Sequence, residues 1–321
     1  MPDYPVYLNS YKSGKLKKIA AQCFATLKAC VICPRKCKVN RLEDKQGFCK
    51  TGKLAKVFSF YPHHGEEPPI SGTQGSGAIF FSHCNMGCVY CQNYEFSQLG
   101  RGKEYTCEEL AQIMLKLQGQ GCHNINLVTP THVLPQILKS LELAAAQGLK
   151  IPLVYNSSGY ELTETLQLLE GIVDIYLPDM RYADGKCSER LSKAVDYPRY
   201  NQQTIKEMYR QVGKAEFDDA GLIKKGLIVR HLVLPQRVSG TEEIMQFISK
   251  EISQDTYISL MSQYLPYYQA AGYPEISRRL KAVEYTEAKK ILEKYNLSNG
   301  WIQESYGEER FAGVNIKPVE R

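Results

Sequence analysis

The chain has 321 residues, of which 43% are hydrophobic and 23% charged, with 24 Gly and 15 Pro. That length supports one large domain or two ordinary ones, and the composition excludes disorder, collagen and coiled coil as descriptions of the whole. No apolar run approaches the roughly 20 residues of a membrane helix, and a net charge of +6, from 40 basic against 34 acidic residues, is mild, without the concentrated basic stripe that nucleic-acid binders usually show.

Two short basic groups, Lys12–Lys18 and Arg35, Lys36 and Lys38, read as solvated faces. The unusual count is 11 Cys, an odd number for a secreted protein held by disulfides. The apolar stretch Ile19–Cys33 is broken by Gln22 and Lys28, so it does not read as a secretory signal. The expected compartment is the reducing cytoplasm, where clustered thiols are metal ligands.

In chain order, residues 1–62 read as a cysteine-bearing extension, 63–270 as a core and 271–321 as a C-terminal cap. The extension carries Cys30, Cys33, Cys37 and Cys49 as C-x2-C-x3-C-x11-C, a spacing that suits a tetrahedral zinc or an iron–sulfur cluster, with Pro34 and Gly47 to turn the chain. Next, His63-His64-Gly65-Glu66-Glu67 is metal-like in composition, but adjacent histidines on an extended chain face opposite ways, and a solvated turn is the expectation ahead of a substrate-lining role for Glu66 or Glu67. Gly72–Gly77 precedes a strand and holds no Lys, so it is no phosphate loop; it is expected to let the backbone pass close to a ligand.

From residue 78 onward, strand-length apolar runs alternate with amphipathic ones. Strands are predicted at Ala78–Ser82, Ile125–Thr129, Ile151–Tyr155, Ile172–Leu177, Leu227–Leu234 and Tyr257–Met261. Helices are predicted from Thr106, whose spacing to Glu109 forms a capping box, and at His132–Gln147, Glu161–Glu170, Tyr200–Val212 and Thr241–Ile252. Pro274–Lys281 and Thr286–Tyr295 add two short helical patterns expected to pad the open side. The alternation implies a parallel sheet, either doubly wound or an incomplete barrel, and periodicity does not separate the two.

Every predicted strand runs into a polar or Pro/Gly cluster, at the edge where parallel folds bind ligands. After the first comes Cys84-Asn85-Met86-Gly87-Cys88-Val89-Tyr90-Cys91, a C-x3-C-x2-C loop. Three thiolates rather than four leave a position open on zinc, or one iron free on a [4Fe–4S] cluster. Cys23, Cys107, Cys122 and Cys187 are scattered and read as packing residues.

This loop after the first strand of a six-unit segment resembles the radical S-adenosylmethionine (SAM) enzymes. Ser71–Ser82 and Gln92-Asn93, on either side of the cysteines, resemble the activating enzymes of pyruvate formate-lyase, and Gly65–Pro69, Thr129–His132 and Cys30–Cys37 are similar to the pyruvate formate-lyase activating enzyme-like iron–sulfur proteins, a likeness that runs from about Cys30 to Glu304. The resemblance implies an α/β fold, an incomplete (β/α)6 barrel with a cysteine-rich N-terminal extension and a short helical C-terminal region. It implies a [4Fe–4S] cluster on Cys84, Cys88 and Cys91, SAM chelated by the free iron, and one-electron cleavage to a 5′-deoxyadenosyl radical that abstracts hydrogen. Flavodoxin or ferredoxin would be the reductant, and a glycyl radical enzyme the protein activated.

Carried over residue by residue, Thr129-Pro130-Thr131-His132 stands where the superfamily has Gly-Gly-Glu, so Thr129, Thr131 and His132 replace a carboxylate at the SAM amino group. Asn156 and Ser158 match the ribose contacts, Asp179 and Arg181 the polar pair of the fourth strand, and Arg230 or His231 the fifth-strand contact. Alone, each also reads as a turn, cap or strand residue. Two alternatives stand: the same chemistry on another protein or a small molecule, and a non-catalytic zinc protein binding RNA.

Overall fold

The computed structural model describes residues 4–303. Among them are ten strands: β1 (Ala55–His63), β2 (Ser76–Phe81), β3 (Lys103–Tyr105), β4 (Ile125–Val128), β5 (Leu153–Ser157), β6 (Ile175–Pro178), β7 (Glu216–Phe217), β8 (Ile223–Leu232), β9 (Tyr257–Met261) and β10 (Gly300–Ile302). They form one mixed sheet in the order β3-β1-β2-β4-β5-β6-β8-β9-β10, with β7 paired to β8 alone. From β2 to β10 every neighbour is parallel, whereas β1 is antiparallel to β2 and β3 to β1.

All six predicted strands are present, in spatial order equal to chain order. A doubly wound sheet reverses its order partway. A sheet wound always in one direction, with right-handed crossovers, curls around a single interior. The end strands β3 and β10 do not pair, so this is an open, partial barrel.

Side-chain alternation gives the barrel two different faces. Ile79, Phe81, Ile125, Leu127, Tyr155, Tyr176, Leu227 and Val229 point outward into a core shared with the helices. Val154, Ile175, Leu177 and Ile228 point inward and close on Ile70, while Ala78, Phe80 and Val128 pack with Phe58 and Phe96. Ile70 belongs to the short helix Pro68–Ser71, so the Gly/Pro segment between β1 and β2 fills the barrel from below.

The predicted capping box forms: Thr106 Oγ1 accepts from Glu109 N–H at 3.2 Å, and Thr106 N–H donates to Glu109 Oε2 at 2.8 Å, opening helix Cys107–Gly119. Helices Leu134–Ala146 and Tyr197–Val212 lie close to their predicted spans. The run predicted as Glu161–Glu170 shortens to Thr163–Gln167, because Glu161 is drawn inward as a buried acceptor. Helix Gly185–Ser192 was not predicted; Leu191 is its only large apolar residue, and Asp184 Oδ1 caps it by accepting from Cys187 N–H at 2.7 Å.

Two expectations at the C-terminal end are corrected. Pro274–Lys281 is a series of turns, since Ile276 and Leu280 are too few apolar anchors for a helix and Tyr264 Oη takes the Ile276 carbonyl. Helix Ala282–Lys294 packs on helix Thr241–Phe247, and the open side is instead extended by β10. Residues 304–321 of the expected cap lie outside the described residues.

At the other end, helix Lys15–Ala25 contributes Leu16, Ile19, Ala20 and Cys23 to the same outer core, packed on helix Leu134–Ala146. Asp174 ties down the preceding residues: its carboxylate accepts from Val6 N–H at 2.9 Å and Leu153 N–H at 3.0 Å. No helix among the described residues is long and apolar enough to cross a membrane.

Burial pushes two carboxyls, Glu161 and Asp174, up to about 7, against partial relief from their hydrogen bonds. Both ionise near 4 when unfolded. Their contribution is therefore fully present below pH 4 and is lost as pH rises through 7, because the unfolded chain gives up these protons first. Glu161→Gln should flatten that fall by about 2 kcal/mol between pH 5 and pH 8, read from urea unfolding. Parallel pH profiles in the two proteins would exclude Glu161 as a contributor.

Candidate active site

β2 ends at Phe81, and two features throw the chain over the sheet edge. Ser82 N–H donates to Lys56 O at 2.8 Å, and His83 adopts a left-handed conformation (φ 69°) with its N–H on Phe96 O. The His83 imidazole lies against Gly100, where a Cβ would stand 2.3 Å from it. The cysteine loop then docks on the end of helix Gly185–Ser192. Gly87 N–H donates to Ser192 O at 2.8 Å and Val89 N–H to Leu191 O at 2.9 Å, satisfying carbonyls that the helix terminus leaves free.

Each loop sulfur has a donor beside it. Cys84 Sγ accepts from Met86 N–H at 3.3 Å, Cys88 Sγ from Ser192 Oγ at 3.0 Å, and Cys91 Sγ lies 3.1 Å from Ser97 Oγ. Burial pushes the Cys84 thiol up to about 12 and the Cys91 thiol up to about 11. A bound metal is what would hold such buried sulfurs as thiolates. All eleven cysteines are free, and among the described residues no three His, Cys, Asp or Glu side chains are grouped closely enough to share one metal ion.

Beside the loop, the strand ends enclose a cavity. Its wall includes Thr129 after β4, Asn156 to Ser158 at the end of β5, Asp179 and Arg181 after β6, Arg230 in β8 and Gln263 after β9. Thr129 is held left-handed (φ 62°), a strained state for a β-branched residue, with its N–H fixed on Asn156 O at 2.9 Å. Asp179 and Arg181 form an ion pair. Tyr197 and Asn201, from helix Tyr197–Val212, brace the loops: Tyr197 Oη reaches Ser158 O at 2.8 Å and Asp179 O at 3.0 Å, and Asn201 Nδ2 donates to Asp179 O at 2.9 Å.

Three buried polar atoms on this wall, Asn93 Oδ1, Ser158 Oγ and Arg181 Nε, have no partner among the described residues. Buried polar groups are almost always hydrogen-bonded. The cavity is thus built for a ligand bearing both donors and acceptors.

Thr131 and His132 are not brought to it. The chain turns through Thr131–Val133 after Thr129, so Thr131 Oγ1 donates to Glu161 Oε1 at 2.6 Å. His132 Nε2 lies 2.7 Å from Ser82 O, and burial drives the imidazole down to about 3, so it braces the loop as a neutral group. His231 points outward between Met180 O and Thr241 Oγ1, while Arg230, its strand neighbour, points in.

Glu66 and Glu67 correct the expectation of a solvated turn. Both are buried and paired to Arg230, whose Nε donates to Glu67 Oε1 at 2.7 Å and whose Nη2 bonds Glu67 Oε2 at 2.6 Å and Glu66. Burial alone would raise the Glu66 carboxyl; Arg230 and His63, 3.2 Å away, outweigh it and hold Glu66 at about 2. The remaining nitrogen, Arg230 Nη1, faces Asn156 Oδ1 at 3.4 Å. Gly72–Gly77 also departs from expectation: it lies at the start of β2, the far end from the cysteine loop, against His123, Leu222 and Asn124.

In the N-terminal group, Cys30 and Cys33 are buried and Cys37 and Cys49 half-buried. Cys30 N–H donates to Val39 O and Lys38 N–H to Cys30 O, while Cys37 Sγ lies so close to Gly47 that a Cβ there would stand 2.7 Å from it. Arg41 is buried at the group's back, donating to Gly52 O at 3.1 Å and His132 O at 2.8 Å, with Nη1 3.7 Å from Cys30 Sγ. Arg35 stacks 3.6 Å over the Phe48 ring and donates to Asn85 O at 3.0 Å, inside the other cysteine loop.

Sequence reasoning did not single out Ser192, Ser97, Tyr197 or Asn201, and it met Asn93 only within the Gln92-Asn93 stretch of the family resemblance, with no role assigned. Gln263 lay within reach of the strand-end rule, but the helix residues carry no local signal.

The family model described as the radical SAM superfamily matches residues 78–248. The chain is similar to the uncharacterized protein MJ0674 of Methanocaldococcus jannaschii, 36% identical over 280 residues, covering 84% of this chain and 76% of that one. It is also similar to a pyruvate formate-lyase-activating enzyme of Clostridium pasteurianum, 26% identical, covering 68% and 88%. Among solved structures, SuiB of Streptococcus suis bound to S-adenosylmethionine aligns at a TM-score of 0.47 with 13% identity, covering 68% of this chain, which spans only 48% of SuiB. HydG, a maturase of the [FeFe]-hydrogenase, aligns at 0.48 with 11% identity, covering 91% and 64%. With a family match over more than half its length and a relative at 36% identity, the chain belongs to the radical SAM superfamily, enzymes of radical chemistry whose membership implies a [4Fe–4S] cluster and SAM.

Proposed function

We propose that Cys84, Cys88 and Cys91 hold the [4Fe–4S] cluster, that SAM occupies the adjoining cavity, and that the enzyme takes a hydrogen atom from a glycyl residue of a partner protein. One observation carries the site: three sulfurs, each with a donor beside it, share one loop with a cavity whose wall holds three buried, unpaired polar atoms. Bound together, a reduced cluster and SAM supply one-electron cleavage of a sulfonium and a carbon radical that takes hydrogen.

The chain's own residues orient the ligand and keep out water. Asn156 and Ser158 offer hydrogen bonds to hydroxyls, and Asp179 is the carboxylate on the cavity wall, where an ammonium finds its best acceptor. Arg230, fixed by two carboxylates, presents Nη1 to a ligand carboxylate, and Thr129 adds a hydroxyl at the end of β4. Thr131 and His132 act from behind, as braces. The glycyl substrate is supported by the likeness to the Clostridium pasteurianum enzyme. A flavodoxin or ferredoxin, in a reducing cytoplasm, is the matching electron donor.

Cys30, Cys33, Cys37 and Cys49 would draw together on a second metal, as zinc or an iron–sulfur cluster. Arg41 supports it: among the described residues no carboxylate pairs with this buried guanidinium, and leaving a buried charge uncompensated is strongly unfavourable. Metal-bound thiolates beside Cys30 would supply the missing negative charge.

Anaerobically reconstituted protein given dithionite and SAM should release 5′-deoxyadenosine, and a Cys84→Ala, Cys88→Ala, Cys91→Ala variant should release none. Wild-type protein without cluster absorbance or product overturns the reading. The same triple variant should retain zinc or iron by elemental analysis, held by the N-terminal group; a metal-free triple variant removes the second site.

A further inference from the structure

The N-terminal cysteine segment packs against the outside of the Cys84–Cys91 loop. Two turns shape it: Lys36 N–H donates to Cys33 O and Lys50 N–H to Gly47 O, each at 3.0 Å. Between the turns Arg35 stacks on the Phe48 ring and reaches Asn85 O. Phe48 also touches the loop, since a Cβ on Gly87 would stand 3.4 Å from Phe48 Cζ and 3.0 Å from Lys193 Cδ. Cys84, Cys88 and Cys91 line the cavity, whereas Gly87, Phe48 and Lys193 do not. The loop thus has a second face, where Gly87 is half-exposed, one residue from buried Cys88.

That face is basic around an apolar centre. Phe48 is exposed, and so are Lys36, Lys38, Lys50 and Lys193. Lys36 and Lys38 flank Cys37, which lies against Gly47, just before Phe48. All four lysines stand on left-handed backbone, with φ from 41° to 55°. Glycine takes that conformation freely, and lysine takes it at a steric cost. Among the described residues none of the four ammonium groups is paired with a carboxylate; Glu43 and Asp196, in the same stretches of chain, pair with Lys45 and Arg199. Glu189, a turn before Lys193, is exposed and leaves the face net basic.

Unpaired basic groups around an exposed aromatic ring fit a protein with an acidic face. Complementary charge steers the encounter, and an apolar centre holds the complex. Electron transfer falls off steeply with distance, and with SAM in the cavity the Gly87 face is an exposed approach to the loop. We propose that this face, built by the N-terminal segment and Lys193, is the docking surface for an acidic protein that donates one electron to the cluster. The donor is oxidised by one electron, the cluster is reduced by one, and no bond forms or breaks. This rests on the reading that Cys84, Cys88 and Cys91 hold the cluster.

The test uses reconstituted holoenzyme, with a flavodoxin and a [2Fe–2S] ferredoxin, both acidic, as probes. Calorimetric titration with the oxidised probe reads docking without electron transfer. A Lys50→Glu, Lys193→Glu variant should bind the probe about tenfold more weakly. The same charge change in Lys150→Glu, Lys214→Glu, at exposed lysines before β5 and beside Gly226 of β8, far from the cysteine loop, should leave binding within about twofold. Driven by limiting reduced probe, the first variant should form 5′-deoxyadenosine about tenfold more slowly, and driven by dithionite it should stay within about twofold of wild type. Should charge reversal cost the protein its iron, Lys50→Gln, Lys193→Gln decides, with an expected loss of binding of about threefold. Unchanged binding in the Lys50 and Lys193 variants overturns the docking surface, and so does equal loss in the Lys150 and Lys214 variant. A wild type that makes product with dithionite yet binds neither probe, or binds RNA in their place, overturns it while the cluster reading stands. A wild type with no cluster and no product overturns both.

Discussion

The pairing of Arg230 with Glu66 and Glu67 is the constraint around which the barrel is organised. A guanidinium directed into a barrel interior loses its water, at an effective cost of several kcal/mol unless opposite charge and hydrogen bonds replace it. The sheet does not provide those carboxylates; they come from the segment between β1 and β2, which must enter the barrel to deliver them. Pro68 begins its short helix, and Ile70 then seals against Val154, Ile175, Leu177 and Ile228. The interior is divided as a result into an apolar floor and a polar cavity. The same pairing stitches the antiparallel edge of the sheet to its fifth parallel strand, through contacts spanning 163 and 164 residues.

That sequence separation explains what could be read in advance and what could not. The six parallel strands were legible because a strand buried on both faces is a short, nearly unbroken apolar run. The helix from Thr106 was legible because a capping box is a local signal. Gly65-Glu66-Glu67-Pro68-Pro69, read locally, is a polar turn, and only a cation far along the chain makes it an interior plug. Helix Gly185–Ser192 has a single large apolar residue and no stripe, yet it carries the cysteine loop. Among the candidate ligand contacts, Thr129, Asn156, Ser158, Asp179 and Arg230 reach the cavity by standing at strand ends. Thr131 and His132 stand at the same edge in sequence, but the turn after Thr129 carries them behind it.

Thr129 shows what this arrangement costs locally. A β-branched side chain at φ 62° carries strain on the order of 1–3 kcal/mol, which persists only where surrounding contacts outweigh it. Those contacts exist: Thr129 N–H is fixed on Asn156 O, and the next residues are pinned through Thr131 to Glu161 and through His132 to Ser82. The strain keeps β4 from running on and turns its end into the cavity wall. With Tyr197 and Asn201 holding the ends of β5 and β6, the wall is set before any ligand arrives. Preorganised groups of this kind need no rearrangement at the moment of reaction.

The N-terminal cysteine group belongs mechanically to this wall. Arg41 bonds His132 O, and His132 in turn contacts Ser82 O, two residues before Cys84. Arg35 reaches Asn85 O, one residue after Cys84, while stacked on Phe48 beside Cys49. Both sides of Cys84 are therefore held by arginines whose own positions depend on how residues 30 to 52 fold. Four thiols in a loop with little secondary structure cannot fix two arginines by burial alone, since most of that loop has no apolar core beneath it. Cross-linking the loop through a metal would remove most of its conformational freedom, and metal binding then contributes directly to folding. A metal held by Cys30, Cys33, Cys37 and Cys49 would therefore couple its occupancy to the placement of Cys84 through these two arginines.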